Sequence, residues 1–309
     1  MREVMALLSR PAFEGYPDEY LLARLRGRRT GLGSERHSPA AVAGMTDAEA
    51  WDAMRSEFRW VYRQMNAGLR LTFSPLFLWF ELRTIILCLR FRRGGEQVKA
   101  AGLLPASLLA KPVQQVLTED GEPAAVMDDL SGLLAAVGEP FRGLGDLYRE
   151  RGGRELEQRL VTLYLERMTG LPLHPLLREF FRGLIDLRNL ITLAKQLRWH
   201  LHEPQLFIRG GEITAERLGQ TLAEGTAGGL ATLLAELPGM EALPSDQVNP
   251  EQQLFGWVTR KVRRLGRDPL GPGLVLDYLW RCFVEARNLS LMIHGQELGQ
   301  ETLHAEMIR

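Results

Sequence analysis

The side chains best suited to chemistry in this sequence recur in one short pattern: an acid, an apolar residue and an arginine, followed by asparagine in two of three copies. The copies are Glu81-Leu82-Arg83-Thr84, Asp186-Leu187-Arg188-Asn189 and Glu285-Ala286-Arg287-Asn288. A carboxylate and a guanidinium together could transfer protons or hold an anion. On a helix that chemistry is unavailable within one copy. With the acid at zero, the arginine lies about 200° round the wheel and the asparagine about 300°, so acid and arginine cannot pair with each other. Each must find partners on neighbouring helices, because an unpaired buried charge is very costly. A reaction needs one site of convergent, unlike groups, and a pattern repeated three times is architecture. Glu81, Arg83, Asp186, Arg188, Asn189, Glu285, Arg287 and Asn288 are therefore read as structural polar clamps that fix helix register.

Other candidates point the same way. His200 and His202 are next neighbours but one and would face apart on a helix, so a metal-dependent helical hydrolase using them is the minor alternative. Asp128-Asp129 precede an apolar run and read as acids at a helix N-terminus. Gly225 to Gly229 is glycine-rich without the lysine that a phosphate-binding loop requires, and no nucleophile elbow, His-Glu-x-x-His or Cys-x-x-Cys is present. No catalytic residue, metal, cofactor or small-molecule substrate is expected.

The elements that carry the pattern are long apolar runs. Apolar side chains stand five residues before the acid (Leu76, Phe181, Trp280) and at positions pointing in nearly every direction round the wheel. A helix apolar all round is buried on most sides, so each copy should be the central helix of its unit. The copies stand roughly one hundred residues apart, a spacing that reads as an internal threefold repeat, with units at 1–110, 111–222 and 223–309. Central helices are expected from about Leu76 to Arg93, over Leu173 to Leu201, and over Leu274 to His294. Thr46 with Glu49 forms a capping box, and Thr214 caps a helix from Ala215. Ser34 to Gly44 and Pro238 to Pro250 read as loose connections, and Gly299 to Ile308 as a short terminal helix. No alternating stretch of strand length is convincing, so the fold class is all-α.

Composition sets further bounds. Lys plus Arg and Asp plus Glu both number 38, and a nucleic-acid binder usually shows a basic excess. Cys88 and Cys282 stand singly in apolar runs and read as buried thiols of a reducing compartment. The first ten residues have too short an apolar core for a signal peptide. Leu71 to Leu89 approaches the length of a membrane span, but Glu81 and Arg83 at its centre favour a core helix. Basic clusters at Arg24 and Arg26, at Arg90, Arg92 and Arg93, and at Arg260, Lys261, Arg263 and Arg264 are candidate partner-binding surfaces.

In Tyr20-x-x-Ala23-Arg24-x-Arg26, Asp186-Leu187-Arg188-Asn189-Leu190 with Gly210-Gly211, and Tyr278-Leu279 with Glu285-x-Arg287-Asn288-Leu289, Gly295 and Ile308, the chain resembles the C subunits of bacterial and archaeal A/V-type rotary ATPases, which correspond to the d subunits of the vacuolar enzymes. Thr84 departs from the pattern, and Gln97 to Gly145 carries little of it. The resemblance implies a funnel of three similar helical domains with pseudo-threefold symmetry, peripheral to the cytoplasmic face of the membrane. It also implies a monomer within its complex, joining the proteolipid rotor ring to the D and F subunits of the central stalk and transmitting torque without chemistry of its own. A helical adaptor of the same fold serving another complex is the alternative.

Overall fold

The computed structural model describes residues 1–32, 42–240, 250–295, 299, 302–303 and 306–308. Among them the chain is all-α, with 13 helices and no strand; two isolated bridges join Leu8 to Leu109 and Tyr16 to Met65. In chain order the helices are α1 (Arg2–Ala6), α2 (Asp18–Arg29), α3 (Asp47–Gln64), α4 (Ala67–Arg93), α5 (Gln97–Leu103), α6 (Lys111–Thr118), α7 (Pro123–Leu134), α8 (Leu144–Thr169), α9 (Pro175–Trp199), α10 (Ala215–Glu224), α11 (Ala227–Glu236), α12 (Pro250–Leu265) and α13 (Gly273–His294). They form two compact units, Met1–Leu21 with Arg55–Arg178, and Leu22–Met54 with Glu179–Arg309.

The first unit is built on α4. This helix starts nine residues earlier than the sequence suggests and passes straight through Pro75. Proline removes the N–H that would bond Leu71 C=O; the Ser74 hydroxyl donates to that carbonyl instead, at 3.0 Å, and the helix continues. Tyr164 of α8 donates to Pro75 C=O at 2.6 Å, which ties the two long helices where the backbone ladder is weakest. Phe73, Leu76, Phe77, Leu78 and Ile85 of α4 are fully buried. By length and composition α4 is the one described helix apolar enough to cross a membrane, with 61% of its most apolar window buried within the protein. It packs as a core helix.

The N-terminal segment lies over the α3–α4 turn. Tyr16 N–H donates to Gln64 C=O at 2.8 Å, and the buried Arg70 guanidinium donates to Met65 C=O and Phe13 C=O, both at 2.7 Å. Asn66 caps α4 through Leu69 N–H at 2.9 Å and donates to Asp18 at 2.6 Å. Gly15 makes the close approach possible. Its φ is +93°, and a Cβ there would stand 2.0 Å from Met65 O.

The second unit centres on α9 and α13. Phe180 and Trp280 meet edge-to-face at 5.5 Å, and the buried Trp280 indole donates to Thr259 of α12 at 2.9 Å. The capping box at the start of α3 is present: Thr46 N–H donates to Glu49 at 2.7 Å and Glu49 N–H to the Thr46 hydroxyl at 3.3 Å. Thr214 likewise accepts from Arg217 N–H at the start of α10. Cys88 and Cys282 are buried free thiols. Asp128 and Asp129 depart from expectation. They lie inside α7 rather than at its start, and Asp128 pairs with Arg149 of α8. The segments expected to be loose, Ser34 to Gly44 and Pro238 to Pro250, lie largely outside the described residues, as do four of the ten residues of the expected terminal helix.

Gly15→Ala should cost about 1–3 kcal/mol from the left-handed backbone alone, with the collision against Met65 adding to it. The check is a lowered urea midpoint; an unchanged one would mean that the segment is not held there.

Candidate functional site

Of the repeated acids and asparagines, Glu81, Asp186, Asn189 and Asn288 bond to groups that lie outside the α-helices. They hold non-helical segments 19 to 27 residues further along the chain. Asp186, fully buried on α9, accepts from Glu212 N–H at 3.0 Å and Ile213 N–H at 3.1 Å. Glu81 on α4 does the same with the Ser107 hydroxyl and Leu108 N–H, both at 2.7 Å. The separations along the chain are identical, 26 and 27 residues in both cases.

Asn189 and Asn288 form a second matched pair. The Asn189 amide donates to Ile208 C=O and accepts from Ile208 N–H, both at 2.8 Å. Asn288 does this to Ile308, at 2.9 and 3.0 Å. The separations are 19 and 20 residues. Each amide thus copies the donor and acceptor of a neighbouring strand and satisfies a buried backbone unit that has no ladder. Thr84, where the pattern lacks asparagine, turns its hydroxyl to Glu81 instead.

Gly211 explains part of the Gly210-Gly211 signal. A Cβ there would sit 2.2 Å from Asp186 Oδ1, so only glycine lets the backbone come close enough to be held. Lys261 of α12 supports the same corner by pairing with Glu212 at 2.6 Å and lying near Glu179 at 3.9 Å. Burial pushes the Asp186 carboxyl up to about 6, opposed by the two backbone N–H donors and by Lys261. Glu81 is also raised by burial, against Leu108 N–H, Ser107, Thr84 and Arg55.

The three arginines occupy different surroundings. Arg83 and Arg188 emerge from their apolar helices with side chains that reach solvent. Protein nevertheless surrounds Arg188 closely enough for desolvation to push its guanidinium down to about 10. Arg287 is half-buried, pairs with Glu251 at 3.0 Å and stacks over Phe255 at 4.1 Å. Glu285 is buried on α13.

The basic clusters also divide. Arg92 is buried and donates to Leu117 C=O at 3.2 Å and Gly121 C=O at 3.4 Å. Arg90 grips Glu157 with two bonds, at 2.9 and 2.5 Å, and Arg93 lies against Gly153, beside the break in α8 at Gly152. This cluster ties α4 to the segments around it. Arg26, Arg260, Arg263 and Arg264 are exposed, and Arg24 is half-buried. His200 and His202 are both exposed; His200 adopts φ 53° in the turn after α9. Among the described residues no three His, Cys, Asp or Glu side chains converge as a metal site. Sequence reasoning missed Ser107, Ile208, Glu212 and Ile308 as clamp partners, because what is gripped there is mostly backbone, which leaves no residue signature.

Two outcomes are expected. Asn189→Ala and Asn288→Ala each leave buried backbone groups unpaired and should cost about 1–3 kcal/mol per group, read from denaturant midpoints. Folded Asp186 holds a proton between the ordinary 3.8 and about 6 that the unfolded chain has released, so stability falls as pH rises through that interval. Asp186→Asn should reduce this slope, leaving the part that the likewise raised Glu81 contributes, and an identical pH profile for the variant would refute the assignment.

Comparison with curated proteins returns no match. The sequence matches the family described as ATP synthase (C/AC39) subunit over residues 23–306, a range that spans all three copies of the pattern. The chain belongs to this family of ATP synthase C/AC39 subunits.

Proposed function

We propose that the chain is the non-catalytic central-stalk socket of an A/V-type rotary ATPase. In this reading it sits peripheral to the cytoplasmic face of the membrane and links the proteolipid rotor ring to the D and F subunits of the shaft. It transmits torque during ATP-coupled proton or sodium transport. The family match over residues 23–306 is the observation that carries it.

The clamps support it mechanically. A coupling piece must resist deformation, and close-packed cores do so. The ends of the chain segments that follow α4, α9 and α13 are tied back to those helices by buried hydrogen bonds, which removes slack that packing alone would leave. The matched separations support three similar units, at about 1–110, 111–222 and 223–309, and a funnel with pseudo-threefold symmetry. Arg24, Arg26, Arg260, Arg263 and Arg264 are the basic groups proposed to meet partners, where they would set orientation and association rate more than affinity.

A tagged copy of the chain should co-purify from membranes with the proteolipid and the stalk subunits, and deleting it should abolish ATP-driven ion pumping while soluble ATP hydrolysis persists. Full pumping without the chain would overturn the proposal.

A further inference from the structure

Arg70 and Tyr62, both in the first unit, carry bonding capacity that the fold leaves unused. Arg70, 8% exposed on α4, donates to Met65 C=O and Phe13 C=O. Among the described residues it pairs with no carboxylate, so a buried guanidinium keeps its charge uncompensated and has N–H groups to spare. Tyr62, 1% exposed on α3, packs its ring edge-to-face against Phe77 at 5.0 Å. Its hydroxyl makes no hydrogen bond among the described residues. Burial pushes that hydroxyl up, and the charge of Arg70 pulls it down. Buried polar groups are as a rule satisfied, so one that is not calls for a reason.

Both side chains line an open groove of about 1100 Å³ between the N-terminal segment and the α3–α4 turn. That is room for an organic molecule and not merely for water. Met5, Leu8, Pro11 and Phe13 supply apolar wall. Arg2 and Arg10 join Arg70 as cations of the lining, against the single acid Glu14. Ala67, the first residue of α4, also borders the space, so the positive end of a 27-residue helix opens on it. The segment that forms the outer wall is fixed by Gly15 and by the bond from Arg70 to Phe13 C=O. The groove thus exists before any ligand arrives, which lowers the ordering cost of binding.

We propose that this groove binds a single-chain organic anion of the fatty-acid class, with its carboxylate on the Arg70 guanidinium and the Tyr62 hydroxyl and its chain along Met5, Leu8 and Phe13. Guanidinium N–H groups match a carboxylate in both geometry and charge. An inorganic anion would leave the apolar wall wet, and an uncharged hydrocarbon would leave Arg70 and Tyr62 unmet. A molecule with a charged head and an apolar body answers both. The site lies within the first unit and stands or falls independently of the coupling role proposed above.

The test titrates the full chain with dodecanoate, below its micelle concentration, by calorimetry. Dodecanoate should bind, and Tyr62→Phe should raise Kd about tenfold, as expected for one lost hydrogen bond to a charged group. The thermal midpoint of the free variant should hold or rise, because the hydroxyl has no partner to lose. Ala12→Trp, at an exposed position of the lining, should fill the groove and abolish binding. Dodecanol keeps the chain without the charge, and acetate the head without the chain; each should bind about tenfold more weakly or worse. Absence of dodecanoate binding, or equal affinity in Tyr62→Phe or for dodecanol, would overturn the proposal. So would tighter capture by phosphatidylglycerol vesicles that neither substitution alters, which would assign the attraction to a lipid surface elsewhere on the chain.

Discussion

A buried carboxylate or amide must have its hydrogen bonds made, and in this chain the partner is backbone. Asp186, Glu81, Asn189 and Asn288 lie in apolar helices where an unmet polar group would be expensive. Each meets the need by drawing in a non-helical segment and pairing with its peptide groups. Two liabilities cancel: the polar group inside the helix and the unpaired peptide units beside it. The rest of the architecture follows, since the segment so fixed determines where α6 and α10 begin.

The same economy recurs elsewhere. Pro75 frees a carbonyl within α4, and the neighbouring Ser74 hydroxyl takes it up. Arg70 and Arg92 spend guanidinium donors on main-chain carbonyls of turns rather than on acids. In each case a side chain with directional donors replaces secondary structure that the local sequence cannot form. Buried networks of this kind tolerate few alternatives, because any partial arrangement leaves polar atoms without partners.

Much of this was legible in residue order. The all-helical class came from apolar periodicity, and the caps at Thr46 and Thr214 came from side-chain chemistry that acts within one turn. Helix ends at Gly94 and Gly295 were readable for the same local reason. What failed depended on contacts distant in sequence. The start of α4 was misplaced because Pro75 is a breaker only if Leu71 C=O stays unmet. Asp128 looked like a helix-start acid because its partner Arg149 belongs to another helix. Within the candidate site, the gripping side chains were recognisable and the gripped segments were not.

The backbone character of the clamps has one more consequence. A carboxylate that recognises peptide N–H groups, as Asp186 does and as Glu81 does at Leu108, is indifferent to which side chains those peptides carry, apart from Gly211, which must let the chain approach Asp186, and Ser107, whose hydroxyl Glu81 also takes. Ser107-Leu108 in one copy and Glu212-Ile213 in another can therefore fill equivalent places without resembling each other. The gripped loops are free to drift in composition and to acquire different outward-facing chemistry, while the frame that holds them stays put. A protein built this way can diversify its rim one loop at a time.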